Sequence, residues 1–160
     1  MTIQIGDRIP HAVLNVLKDG VQAVDTNDVF AGKNVVLFSV PGAFTPTCSA
    51  KHLPGYVQHL DEFKAKGIDV ACMAVNDAFV MDAWAKNQHV PEDGIAMLAD
   101  GNGAFTDALG LEMDGTAFGL GKRSKRFALY AEDGVVKQLF IEAPGEFRVS
   151  SAEHVLSELN

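Results

Sequence analysis

Cysteine is scarce in this chain of 160 residues: there are two, Cys48 and Cys72. Two thiols cannot make a structural zinc site alone, and His11, His59, His89 and His154 show no metal-ligand grouping with them. In a reducing cytoplasm such a pair reads as reactive or buried thiols rather than as a structural bridge. Long apolar runs are also lacking. Nothing approaches the ~20 residues of a membrane helix, and the opening MTIQIGDRIPH lacks the charged-then-apolar layout of a signal peptide. A soluble, cytoplasmic protein is expected. Basic residues are few, with 13 Lys and Arg against 21 Asp and Glu for a formal charge of −8. That balance repels phosphates and opposes binding to nucleic acid or anionic membranes. No linker, repeat or low-complexity stretch divides the chain. With 48% hydrophobic residues it has enough apolar matter for one compact domain over residues 1–160, which excludes disorder, collagen and coiled coil.

Apolar periodicity orders the elements. HAVLNVL and VQAVD flank Asp19-Gly20, a pair that favours a tight turn, and predict an opening hairpin. Val35 to Val40 and Ile68 to Val75 are nearly unbroken apolar runs, as central parallel strands covered on both faces require. Between them, Leu53, Tyr56, Val57, Leu60 and Phe63 predict one helix from Pro46 to Lys66, stopped at Gly67 and kinked at Pro54. A helix over Asp77 to Gln88, capped by Asn76 or Asp77, is expected to turn Phe79, Val80, Ala83 and Trp84 to one face. A short strand at Ala96 to Ala99, a helix over 103–109 and a loop over 111–121 follow. Phe127 to Ala131 and Val135 to Glu142 flank Asp133-Gly134 as a second hairpin, and Ser150 with Glu153 has capping-box spacing before a last helix through Leu159. The order βαβα, strand and helix, then ββα describes an α/β thioredoxin-like fold with an N-terminal β-hairpin extension and an inserted strand-helix element.

The segment PGAFTPTC carries the chemistry. Thr45 stands at the N-cap position and Pro46 at the first helical position, which puts Cys48 in the first turn among unpaired N–H groups. That location favours a thiolate and suggests a nucleophile; a cysteine simply buried behind a cap is the competing reading. Lys122, Arg123, Lys125 and Arg126 are concentrated just before a strand in an otherwise acidic chain. They form either a solvated loop or the lining of an anionic site. Arg126, at the root of the strand, is the best candidate partner for a sulfur or oxygen anion.

The pattern P-x-x-x-T-x-x-C at Pro41, Thr45 and Cys48 resembles the peroxiredoxin signature. PGAFTPTCSAKHLPGY, CMAVNDAFVMDAWAK and GKRSKRFAL together resemble the type II, or peroxiredoxin-5-like, subfamily, across nearly the whole chain. The resemblance implies a thiol-dependent peroxidase that reduces hydrogen peroxide and organic hydroperoxides. Cys48 would be its peroxidatic cysteine, Thr45 and Arg126 its hydrogen-bond donors, and Pro41 its shield. Reduction through sulfenic acid needs no cofactor and no metal, only a thiol that regenerates Cys48. His52 matches a subfamily histidine and is read either as pocket wall or as helix packing.

A disulfide reductase on this fold would need Cys-x-x-Cys, and Thr45 stands where the first cysteine belongs. A copper-delivery protein would want paired soft ligands, and a binding or chaperone module would use the fold without turnover. Cys72 sits in the apolar run VACMAV. There its thiol is expected to be buried, with its pKa raised, and so unsuited to resolving Cys48. The expected reductant is therefore external: glutathione with or without glutaredoxin, or thioredoxin. A homodimer is implied by the resemblance, with Phe44 and Phe79 as candidate interface aromatics.

Overall fold

The computed structural model describes residues 2–159. The opening hairpin forms from β1 (Val13–Leu17) and β2 (Val21–Asp25). Asp19 and Gly20 both take positive φ, 54° and 95°, which is the turn that fits the twist of paired strands. A short helix, α1 (Thr26–Phe30), leads into β3 (Asn34–Ser39). β3 pairs in parallel with β4 (Asp69–Ala74), and β4 in turn with β5 (Ile95–Ala99). The second hairpin, β8 (Phe127–Glu132) with β9 (Val135–Ile141), lies antiparallel on the other side of β3. The complete sheet runs β2-β1-β5-β4-β3-β8-β9, with the opening hairpin attached to β5.

Strand alternation divides the apolar residues between two faces. Val36, Phe38 and Val40 of β3 and its end, with Val70, Cys72 and Ala74 of β4, join one core with Cys48, Leu53, Tyr56, Phe63, Trp84 and Val155. Val35, Leu37, Ala71 and Met73 join the other, with Phe30, Phe105, Leu109 and Leu129. Continuous apolar strands are thus needed because both sheet faces are covered.

Several helical expectations are corrected. The segment after β3 is not one kinked helix to Lys66. Residues 48–52 form a widened turn in which the Leu53 N–H bonds to Cys48 O, five residues back. Then come α2 (Leu53–Gln58), with Pro54 in its first turn, and α3 (Leu60–Ala65), separated at His59. The break thus precedes and follows the position that Pro54 alone suggested. In α4 (Ala78–Asn87), Asp77 caps Val80 N–H as expected, but the buried face is Ala78, Met81 and Trp84. Phe79 is 63% exposed, because the helix is rotated to seat Trp84 in the core.

After α5 (Ala104–Leu109), the stretch read as loop contains β6 (Glu112–Asp114). It pairs with β7 (Lys122–Ser124) as a separate ribbon. The last helix is α6 (Ala152–Leu159), and the capping hydroxyl is Ser151, which accepts from His154 N–H. Ser150 is not the cap; its hydroxyl is turned to Glu142, to which it donates.

Candidate active site

Cys48 lies where β3 gives way to helix. The chain leaves β3 through Pro41, Gly42, Ala43 and Phe44, and Ser49 N–H bonds back to Thr45 O to start the helix. Ala43 N–H donates to Asn76 Oδ1 beyond β4, and Arg123 Nη1 donates to Pro41 O at 3.2 Å. A Cβ at Gly42 would stand 2.6 Å from Arg123 Nη1, so a larger residue there would push that guanidinium off Pro41 O. Phe44 adopts φ 66°, an uncommon conformation for an aromatic residue, and is 51% exposed. Two side chains from different parts of the chain therefore hold the loop ahead of the thiol.

Cys48 is buried, and it is also bonded to a cation. Arg126 Nη2 donates to Cys48 Sγ at 3.2 Å, and Nη1 donates to His52 Nδ1 at 2.8 Å. His52 Nε2 meets Ser150 O at 3.0 Å. A guanidinium only donates and a carbonyl only accepts, so His52 must be neutral, with its proton on Nε2. Burial, then the neighbouring Arg126 charge, lowers its pKa to about 3, against the favourable bond to Ser150. The imidazole is thus a fixed acceptor that aims one arm of the guanidinium and leaves the other on sulfur. Phe147 flanks both partners, 5.0 Å from the His52 ring and 5.7 Å from the guanidinium carbon.

The sequence-derived candidates have different fates. Arg126 reaches Cys48, as does no other member of the basic cluster. Lys122 pairs with Asp107, Arg123 supports Pro41 and Leu120, and Lys125 is exposed. Thr45 keeps its N-cap position, but its side chain does not cap the helix: Oγ1 donates to Gly42 O at 2.7 Å. Pro41 is half-buried beside this loop. Cys72 is buried on the same sheet face as Cys48, and burial, followed by Cys48 nearby, pushes its thiol well above the ordinary range. Both cysteines are free.

Asn76, Arg123 and the Ser150–Glu142 contact escaped the sequence reading. Arg123 carries a signal as part of the basic cluster, and Asn76 and Ser150 as helix caps, but none for the contact it makes here. No group of three or more potential metal ligands occurs among the described residues. No helix among them is long and apolar enough to cross a membrane.

A thiol under a two-armed donor can pass electron density to an acceptor atom while the donors follow the developing charge. The comparisons with known proteins agree with that chemistry. The Redoxin family model matches residues 4–156. The chain is 49% identical over 164 positions to Peroxiredoxin-2E, chloroplastic, of Arabidopsis thaliana, covering 99% of this chain and 70% of that protein. It is 51% identical to reduced Prx3 of Vibrio vulnificus solved in complex with hydrogen peroxide, with a TM-score of 0.94 over 99% of this chain and 100% of that one. A Burkholderia cenocepacia structure described as a thioredoxin reductase is 48% identical with a TM-score of 0.97, over 100% of this chain and 99% of the other. This sequence has no Cys-x-x-Cys at the site to match that description. The chain belongs to the Redoxin family as a type II peroxiredoxin, a thiol-dependent peroxidase of thioredoxin-like fold.

Proposed function

We propose that Cys48 is the peroxidatic thiol of this peroxidase, acting on hydrogen peroxide and organic hydroperoxides. The observation that carries the assignment is the Arg126 Nη2–H bond to Cys48 Sγ. A sulfur lone pair attacks the terminal peroxide oxygen, the O–O bond breaks, and water or an alcohol leaves with a proton. Sulfur is oxidised by two electrons to sulfenic acid and the peroxide is reduced by two. Arg126 donates first to sulfur and then to the departing oxygen. Thr45 turns its hydroxyl from Gly42 O towards the peroxide, and Pro41 shields the sulfur.

Regeneration takes two external thiols. The first condenses with the sulfenic acid and releases water, and the second displaces Cys48 from the mixed disulfide. Glutathione with or without glutaredoxin, or thioredoxin, supplies them. The burial and raised pKa of Cys72 speak against its resolving Cys48. Because Cys48 itself is buried, a large reductant needs residues 46–52 to open, where the widened turn interrupts ordinary helical bonding.

The unit is one domain over residues 1–160 that works in the cytoplasm as a homodimer. Phe44 and Phe79 support pairing: both are exposed, and the Ala43–Asn76 bond links the segments that carry them. Purified Cys48→Ser should lose peroxidase activity with every donor while keeping its fold by circular dichroism. Dimedone should label wild-type Cys48 after one equivalent of peroxide. Peroxide turnover that survives the substitution removes Cys48 from its role.

A further inference from the structure

We propose that Glu142, outside the site itself, is a positioning residue that sets the Arg126 guanidinium on Cys48 by gripping Arg126 at both ends. Its backbone N–H donates to Arg126 O at 3.0 Å. Its carboxylate gathers the loop that leads to α6. Oε2 accepts from Arg148 N, Val149 N, Ser150 N and Ser150 Oγ at 2.8, 2.9, 2.8 and 2.7 Å, and Oε1 also faces Arg148 N at 3.0 Å. The immobilised Ser150 carbonyl accepts from His52 Nε2 and from Tyr56 OH. His52 Nδ1 then accepts from Arg126. The hydrogen bonds close a ring: Arg126 backbone, Glu142, Ser150, His52, Arg126 guanidinium, with Cys48 Sγ on the free arm.

The chemistry of Glu142 suits this task better than general packing. It is 6% exposed, and no cation pairs with its carboxylate among the described residues. A buried carboxylate without a counter-ion is costly unless its lone pairs are satisfied by hydrogen bonds. Here neutral donors do so, and they outweigh burial in holding its pKa below the usual range. A carboxylate accepts at both oxygens and carries a negative charge, whereas Gln offers one neutral acceptor oxygen and turns an NH2 donor toward the Arg148, Val149 and Ser150 donors. The carboxylate thus fixes three consecutive backbone N–H groups in one orientation, and with them the direction of the Ser150 carbonyl. A misdirected carbonyl would release His52 and let the guanidinium swing off sulfur.

The inference rests on Cys48 as the reacting thiol, so Cys48→Ser is measured in parallel. Peroxide turnover in that variant would overturn the site assignment, independently of Glu142. The test is a double-mutant cycle between Glu142→Gln and His52→Leu. Stopped-flow oxidation by hydrogen peroxide, iodoacetamide alkylation of Cys48 and melting temperature are read for each protein. Alkylation is read on the alkaline plateau of its own pH profile, where ionisation of the thiol no longer limits it; it then needs no donor to a leaving oxygen, so it separates positioning of Arg126 from general damage.

Glu142→Gln should slow peroxide oxidation on the order of 10–100-fold, the cost of a small misplacement in a reacting site, with alkylation changed by less than about threefold. On the His52→Leu background the same substitution should add less than about twofold. An unchanged peroxide rate in folded Glu142→Gln overturns the proposal. So does an equal loss in both backgrounds, or an equal fall in alkylation, since each marks a merely structural role. If Glu142→Gln does not fold, Ser150→Ala removes one of the four donors and keeps the carbonyl. It should then show a smaller loss of the same kind that disappears with His52→Leu, and an undiminished rate or a loss that persists overturns the proposal.

Discussion

His52 should make the protein's stability depend on pH in a window where carboxylates hardly titrate. In the fold its pKa is lowered to about 3, from 6.5 as a free side chain, chiefly through burial and then through the Arg126 charge. Between these values the unfolded chain binds a proton that the native state refuses. Stability is therefore complete above the unfolded pKa and falls with acidification until the folded pKa is reached. The loss is about 1.4 kcal/mol per pH unit across that interval, or about 2 kcal/mol between pH 7.5 and pH 5.

The control is His52→Gln, whose amide oxygen can accept from Arg126 and whose amide nitrogen can donate to Ser150 O without titrating in this range. Urea unfolding followed by circular dichroism at fixed protein concentration, in steps from pH 7.5 to 5, gives both curves. Every other titrating group is common to the two proteins. The wild type should lose about 2 kcal/mol more than the variant over that range. Parallel curves would mean that His52 accepts a proton in the native state, and the assigned tautomer would be wrong.

Arg126→Lys should slow oxidation of Cys48 by about 10²-fold or more, since one ammonium cannot reproduce the planar fork that spans His52 Nδ1 and Sγ. A rate within about threefold of wild type in stopped flow would remove the two-armed geometry from the mechanism. Cys72→Ser should keep most turnover with glutathione and glutaredoxin; rapid formation of a Cys48–Cys72 disulfide by mass spectrometry, together with loss of turnover with every donor in the variant, would show internal resolution instead. If the proposed homodimer forms through this face, Phe79→Glu, which places a charge on an exposed helical position, should shift the sedimenting species from dimer to monomer without unfolding. An unchanged dimer mass moves the interface elsewhere.

The strands of the main sheet and their two hairpin turns were legible because each rests on a local rule, whereas the short β6–β7 ribbon reads as loop. Val35 to Val40 and Ile68 to Val75 need to be apolar on both faces, and the structure uses both faces. Asp19-Gly20 and Asp133-Gly134 are pairs that tolerate positive φ, and both turns take it. Helix faces were less legible. Phe79 and Ala83 fit the apolar periodicity of α4 as well as Met81 does, and only the tertiary seat of Trp84, whose Nε1–H donates to Ser49 Oγ beside Cys48, selects the rotation. The break at His59 and the wide turn at 48–52 lie on either side of Pro54, and the proline alone does not encode either.

In the site, residue types were legible where their chemistry is unusual for their surroundings. A cysteine one turn into a helix behind Thr-Pro and an arginine at the root of an apolar strand were visible in one dimension, and the fold brings them within 3.2 Å. What sequence cannot supply is the state of the groups between them. His52 four residues after Cys48 fits pocket wall or helix packing equally well. It becomes a neutral acceptor only because Ser150 O occupies Nε2 and Arg126 occupies Nδ1. Ser150 invited a capping role through its spacing to Glu153, yet the competing acceptor was Glu142, eight residues earlier in the chain, which spacing rules for helix starts do not consult. Local patterns therefore identified the sulfur and its cation, whereas their alignment depends on polar groups drawn from the end of β9 and the approach to α6. Substitutions there should reveal how far the reactivity of Cys48 is set outside its own motif.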